Sequence, residues 1–427
     1  MKILLVNTSS ATGGAAIAAR RLMDALEKNG AEVKMLVRDK DADGDDKVVA
    51  LPPSWRLKWN FVWERFVIWI HNKLSRKNLF AVDIANTGTD ITTLPEFQQA
   101  DIIHLHWVNQ GMLSLKNIRK ILAFGKPVVW TLHDMWPCTA VCHHAEQCNG
   151  FTEDCSQCEH LTFPKCENLP HKVFLQKKQI YGAGNLHLVS VSNWLYQQVK
   201  RSALTRELPS SVIPNTLSLQ QFQVWNKEEA RLQLHLPTDK HIIIFGAARI
   251  DDPFKGFHLL LQALDLLISS GRYAKDDLHL VIFGNIKYPS QLLPHIHVDY
   301  THLGWVSNAE RLSVAYSAAD AVVCASRYET FGQTLIEAQA CGCLPVSFGN
   351  SGQTDIIDHL KNGYLAKAYS VDDLAKGIHW ALSEGKSQVS PLEMRNEVVH
   401  RYSSDVVAQQ YLTLYKTILK QEIETGS

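Results

Sequence analysis

The sequence predicts an α/β protein built from two doubly wound parallel sheets, and three observations carry that reading. Short apolar strands alternate with helical patterns from one end to the other, the pattern of parallel sheets with crossover helices. The alternation breaks near Val212-Ile213-Pro214-Asn215 and starts afresh at His241. The chain has 427 residues, more than one compact core usually organises.

In the first series, Lys2–Asn7 reads as a buried strand, followed by a loop ending in Gly13-Gly14 and a helix over Ala15–Asn29. Val33–Arg38, Asp101–His106, Pro127–His133 and Leu186–Ser192 are the next strands. The second series has strands at His241–Ala248, Leu278–Gly284, Ala321–Ser326 and Leu344–Phe348. A last helix, roughly Asp405–Leu419, carries Val406, Tyr411, Leu414 and Ile418 at helical spacing. It follows a completed series and is expected to pack back toward the first domain. The expected division is 1–212, 213–404 and a terminal helix 405–427. Two segments interrupt the alternation: a Trp- and Arg/Lys-rich stretch within 52–78 and a cysteine-rich insertion over 136–166.

Composition excludes several classes. The chain is 46% hydrophobic and 20% charged, with zero formal net charge. No global field draws it to nucleic acid or to an anionic membrane, so an anionic substrate has to be held by a few placed cations. The apolar run Ile3–Val6 is too short for a signal core, and no window is long and apolar enough to span a bilayer. The expected location is cytoplasmic.

The most specific segment is Arg327–Val346, RYETFGQTLIEAQACGCLPV. It follows a strand, turns at Gly332 and enters a helix. That places Glu329 in the loop and Glu337 on the helix. The amides from Gly332 through Gln333 and Thr334 to Leu335 open the helix, and a helix N-terminus suits a phosphate. Glu337 can accept both hydroxyls of a ribose. A second element, Gly246–Gly256, ends a strand and offers Arg249 and Lys255, a guanidinium and an ammonium suited to a diphosphate. Both lie at carboxyl ends of strands, where open α/β sheets bind ligands. A third is the first strand–helix turn, where Gly13 and Gly14 permit close approach of a ligand. It lacks the three spaced glycines of the dinucleotide fingerprint. A fourth is Trp130–Asp134, which puts His133 at a strand end with Asp134 as its candidate partner. His104 and His106 share one face of the neighbouring strand.

The paired glutamates, the Phe331-Gly332 step and the Arg249…Lys255-Gly256 pair together resemble the family 4 retaining glycosyltransferases. Thr330-Phe331-Gly332 departs from the commoner Gly-Phe-Gly. The resemblance implies two Rossmann-like domains facing across a cleft, the GT-B arrangement. It further implies a nucleotide-diphosphate-sugar donor and a glycan or lipid-linked glycan acceptor. Arg249, Lys255, Glu329 and His133 are the implied catalytic residues. Gly13, Gly14, Phe331, Gly332, Gln333, Thr334, Leu335 and Glu337 are the implied donor-binding residues. No catalytic cofactor or divalent metal is implied. The block His133-Asp134-Met135-Trp136-Pro137 with the cysteines after it resembles a bacterial exopolysaccharide subgroup of the colanic-acid type. Two other readings share the architecture: a nucleotide-sugar 2-epimerase and a non-catalytic sugar-nucleotide-binding subunit.

Nine cysteines is an odd number, and six fall between Cys138 and Cys166. Cys155-Ser156-Gln157-Cys158 is a C-x-x-C pair, so Cys142, Cys148, Cys155 and Cys158 form a candidate structural zinc set. Disulfides, buried free thiols and an iron–sulfur cluster are the alternatives. Trp55, Trp59 and Trp63 recur every four residues, with Arg56, Lys58, Arg65, Lys73, Arg76 and Lys77 around them. Such a stripe either faces the core or makes a peripheral membrane contact through 55–78, at the inner face of the membrane.

Overall fold

The computed structural model describes residues 1–41, 45–161 and 169–425. The chain divides into two compact units, Met1–Thr216 with Val407–Ser427, and Leu217–Val406. Each is built on a wholly parallel sheet.

The first unit has seven strands: β1 (Lys2–Ser9), β2 (Glu32–Asp39), β3 (Val48–Ala50), β4 (Ile102–Leu105), β5 (Val128–Leu132), β6 (Leu186–Ser190) and β7 (Ser210–Val212). Their order is β3-β2-β1-β4-β5-β6-β7. The second unit has six: β8 (His241–Arg249), β9 (Leu278–Asn285), β10 (Asp299–His302), β11 (Ala321–Cys324), β12 (Leu344–Phe348) and β13 (Tyr364–Ala366). Their order is β10-β9-β8-β11-β12-β13. Each order reverses once, between β1 and β4 and between β8 and β11. Those are the switch points where such sheets leave a crevice at the strand carboxyl ends.

The strands are apolar on both faces because helices cover both. In the first unit the helix Gly14–Lys28 buries Ala16, Ala18, Ala19, Leu22, Met23, Ala25 and Leu26. The last helix, Ser404–Thr425, adds Val407, Ala408, Tyr411, Leu412, Tyr415 and Ile418 to the same core. Two of its tyrosines are hooked to the sheet: Tyr415 Oη lies 2.7 Å from His104 Nδ1 and Tyr411 Oη 2.8 Å from Thr131 Oγ1. In the second unit the helices Phe257–Ser269 and Val371–Leu382 pack on β8, β9, β11 and β12. Four strands escaped the sequence reading: β3, β7, β10 and β13. All are sheet edges of three or four residues, too short to show a period.

The tryptophan-rich stretch forms the helix Trp55–His71, capped by the Ser54 hydroxyl. Its core-facing reading fails. The residues it buries are Asn60, Glu64, Arg65 and Ile68, while Trp55, Trp59, Trp63, Phe66 and Ile70 are exposed.

Candidate active site

In the second unit, β8 ends at Arg249, and its pairing with β9 is irregular between Gly246 and Arg249. A 3-10 turn, Pro253–Lys255, follows, with the Asp252 carboxylate accepting from the Phe254 amide at 3.1 Å. Gly256 then turns left-handed at φ 69°. A Cβ there would lie 1.9 Å from the Ala325 carbonyl oxygen, so only glycine lets this turn press against the chain leaving β11. The Arg327 amide donates to the Phe254 carbonyl at 2.8 Å. The two loops are thus sewn together across the switch point, and Lys255 Nζ meets Glu329 Oε1 at 2.6 Å. Burial pulls the Lys255 ammonium down, but the adjacent Glu329 carboxylate outweighs this and raises its pKa. The side chain is a fixed cation. Arg249 is half-exposed and lies 3.4 Å from Asp251 and 3.5 Å from Asp252.

The Glu329 loop is held from below. Its amide donates to Ser351 Oγ at 3.0 Å, and its carbonyl accepts from the Gly352 amide at 2.7 Å. A Cβ on Gly352 would fall 2.4 Å from the Thr330 carbonyl oxygen. Gly332, at φ 116°, turns the chain into the helix Gln333–Ala340. Phe331 and Leu335 are buried, and the Phe331 ring meets Tyr402 edge-on. These two residues anchor the loop through packing. Gln333 and Thr334 form the partly exposed first turn, where the helix dipole is positive. Glu337 is nearly buried and accepts from the Tyr316 hydroxyl at 3.3 Å. One unit therefore carries, on the loops leaving β8 and β11, an ammonium, a guanidinium and a helix N-terminus, with Glu329 between the loops. That set suits a ligand with an anionic group and hydroxyls.

In the first unit, Gly13 caps the helix Gly14–Lys28 at φ 93°, and a Cβ on it would meet nothing within 4 Å. The ends of β1 and β4 are tied: the Trp107 amide donates to Asn7 Oδ1 at 2.9 Å, and the Thr8 amide to the Trp107 carbonyl at 2.8 Å. His106 Nδ1 and His133 Nε2 share a hydrogen bond of 2.9 Å with their rings stacked. Burial pushes His133 down to about 4 and His106 well below its usual value. Both imidazoles are neutral at pH 7. His104, also buried and lowered to about 3, bonds Thr131 and Tyr415 and is structural.

Asp134 was expected to partner His133. It acts on His133 through its charge, which raises the His133 pKa against the larger pull of burial, and its carboxylate also accepts from Trp107 Nε1 (2.8 Å) and the Trp136 amide (2.8 Å) and meets His143 Nδ1 (2.6 Å). Burial would raise its pKa, yet the attraction and hydrogen bond of His143 bring it down to about 2. His143 Nε2 in turn meets Asp83 at 2.6 Å, and Asp83 pairs with Arg65. Asp83 lies in a segment where the alternation is silent, and His143 reads in the sequence as one of the histidines interspersed among the insertion's cysteines, with nothing local to mark Asp83 and Asp134 as its partners.

Cys142, Cys148, Cys155 and Cys158 line one small cavity, together with Phe151 and His160. All four are free thiols. The Gly150 amide donates to Cys148 Sγ at 3.4 Å. Burial pushes Cys155 up to about 11 and Cys142 well above its usual value. Among the described residues no group of three His, Cys, Asp or Glu is placed to hold a metal ion. Cys166 lies outside the described residues.

Comparison with known proteins bears on these features. Residues 12–221 match the model of Glycosyltransferase Family 4, and residues 226–397 match that of Glycosyl transferases group 1. An uncharacterised glycosyltransferase of Methanocaldococcus jannaschii is 24% identical over 81% of this chain and 91% of its own. Among solved structures, sucrose-phosphate synthase from Thermosynechococcus elongatus superposes with a TM-score of 0.69 at 19% identity, covering 99% of this chain and 100% of that one. Anabaena HepE in complex with UDP-glucose superposes with a TM-score of 0.64 at 15% identity, covering 98% and 100%. These likenesses confirm the fold of two Rossmann-like units.

Proposed function

We propose that this chain, a GT4-type glycosyltransferase with the GT-B fold, moves a hexose, with retention, from a nucleotide-diphosphate-sugar to a glycan acceptor, free or lipid-linked, in surface polysaccharide synthesis. The observation that carries the reading is the Lys255–Glu329 pair, held at 2.6 Å by two loops sewn across the β8/β11 switch point. The bound UDP-glucose of the Anabaena relative makes a uridine diphosphate sugar the first donor to try.

As the anomeric C–O bond breaks, charge gathers on the departing diphosphate. Lys255, Arg249 and the N-terminus of the helix Gln333–Ala340 meet that charge, so the reaction needs no divalent metal. Glu337 receives the ribose. Glu329, already engaged with Lys255, orients the donor sugar and is no nucleophile. The acceptor hydroxyl attacks from the face the phosphate leaves, and the phosphate takes its proton.

A thermal-shift screen of UDP-, GDP-, ADP- and TDP-sugars, followed by product analysis, tests this. One donor is expected to stabilise the protein, release nucleoside diphosphate in chelator, and yield a product of unchanged anomeric configuration. Inverted product removes the retaining assignment. Interconversion of the donor into its 2-epimer, with no transfer, establishes the epimerase reading instead.

A further inference from the structure

The helix Trp55–His71 wears its polarity inside out. Its apolar side chains at 55, 59, 62, 63, 66 and 70 recur at helical spacing along one face, and that face is exposed; Trp55 is 72% and Trp59 51% exposed. The aromatic rings run as a continuous row, with centroids 5.9 Å apart for Trp59–Trp63, 5.8 Å for Trp63–Phe66 and 6.1 Å for Phe66–Trp69. Leu74 and Phe80, just beyond, are exposed as well.

The opposite face is locked inward by polar contacts. Glu64 Oε1 accepts from the amides of Ile84 (3.0 Å) and Ala85 (2.6 Å). Arg65 donates to the carbonyls of Leu79 and Val82 and pairs with Asp83. Asn60 accepts from the Thr87 hydroxyl at 2.5 Å. Gly111 lets the helix backbone seat closely, since a Cβ there would lie 2.7 Å from the Phe61 nitrogen. Rotating the tryptophans inward would break these contacts and leave buried charges without partners, which is strongly unfavourable. The aromatic exposure is therefore specified by the fold.

Charge selects what covers the face. Between Trp55 and Phe80 the exposed surface carries Arg56, Lys58, Lys73, Arg76 and Lys77. The only acid in that span, Glu64, is buried. An apolar aromatic strip whose own segment exposes cations and no acid matches a lipid headgroup boundary that bears negative charge. No helix among the described residues is long and apolar enough to cross a membrane, so the contact is interfacial. We propose that the face Trp55–Phe80 is a docking surface for an anionic lipid bilayer. The helix is also one chain of polar contacts from the candidate site: Arg65, Asp83, His143 and Asp134 follow in turn, and Asp134 adjoins His133. Docking thus orients the first unit on a lipid surface. It does not depend on the donor or on turnover.

Vesicle co-sedimentation of the full chain tests this without any substrate. Binding is expected to vesicles of phosphatidylcholine mixed with phosphatidylglycerol, to weaken with added salt, and to be far poorer with phosphatidylcholine alone. The variant W55S/W59S/W63S changes only exposed positions, and circular dichroism and its melt should match the parent. Its vesicle affinity should fall at least about tenfold. K73Q/R76Q/K77Q should lose about a hundredfold on the anionic vesicles and little on the neutral ones. Absence of wild-type binding to anionic vesicles overturns the proposal. So does a concentration-dependent dimer abolished by the triple tryptophan variant with vesicle binding unchanged, which would make a second copy the occupant.

Discussion

Replacing Lys255 with alanine separates the chemical role of the second unit's cation from any structural one. Its ammonium sits 2.6 Å from Glu329, with side chains 36% and 21% exposed. A pair this open to water contributes about 0–1 kcal/mol to folding. The loops also keep their Arg327–Phe254 backbone bond without it. The melting temperature should therefore fall by no more than about 4 °C. The transition state is another matter. A unit charge about 4 Å from a developing charge is worth about 4 kcal/mol at an effective dielectric constant of ~20. Losing one such preorganised group elsewhere costs about 2.7–4 kcal/mol. The expected drop in kcat/KM is about 10²–10³-fold. Release of nucleoside diphosphate from the best donor, with a thermal melt on the same preparation, reads both quantities. A Lys255→Ala protein that melts normally and keeps more than half its activity would refute the assignment of the leaving-group charge to this residue.

Further outcomes follow from other contacts. Gly352→Ala places a methyl 2.4 Å from the Thr330 carbonyl oxygen and must displace the Glu329 loop; we expect a stability loss of about 1–3 kcal/mol and a larger loss of turnover, measured by denaturant unfolding and donor hydrolysis. His133 is held down to about 4 in the folded chain against an ordinary 6.5, so the unfolded chain takes up its proton first as pH falls. Stability should decline between about pH 6.5 and 4, with a shallower decline in His133→Gln; a profile unchanged by that substitution contradicts the burial argument. The structural zinc proposed for Cys142, Cys148, Cys155 and Cys158 requires their sulfurs to draw together around the shared cavity, releasing protons from thiols that burial otherwise keeps neutral. Metal analysis of protein purified without added zinc should return one zinc per chain, lost in Cys155→Ser; metal-free protein whose thiols all titrate on unfolding removes the proposal.

The sheets were legible because nine of their strands are long enough, or apolar enough, to announce themselves. Leu344–Phe348 was placed to the residue, while the edge strands Asp299–His302 and Tyr364–Ala366 had too few residues to show a pattern. The site was legible where chemistry follows local chain geometry. A glycine at a strand-to-helix turn, as at Gly256 and Gly332, marks the place, and charged residues beside it supply the function. What stayed hidden depends on contacts between distant segments. Asp83 and His143 meet only because the fold brings an irregular loop under the cysteine-rich insertion. The orientation of Trp55–His71 was ambiguous for the same reason. Periodicity locates the two faces of a helix, but Glu64 and Arg65 select the inward one through partners at 79–85 that no local pattern reveals.

The last helix has a bearing on biogenesis. Residues from Val407 to Ile418 close the core that β1 and the helix Gly14–Lys28 begin. The whole of Leu217–Val406 is translated in between. At about 5–20 residues per second, the ribosome needs roughly 10–40 s to pass that stretch. For that interval the earliest-made sheet waits with one flank bare and His104 unmet by Tyr415, while the later-made unit gains its last strand, Tyr364–Ala366, before the closing helix residues are made. The domain begun first is completed last.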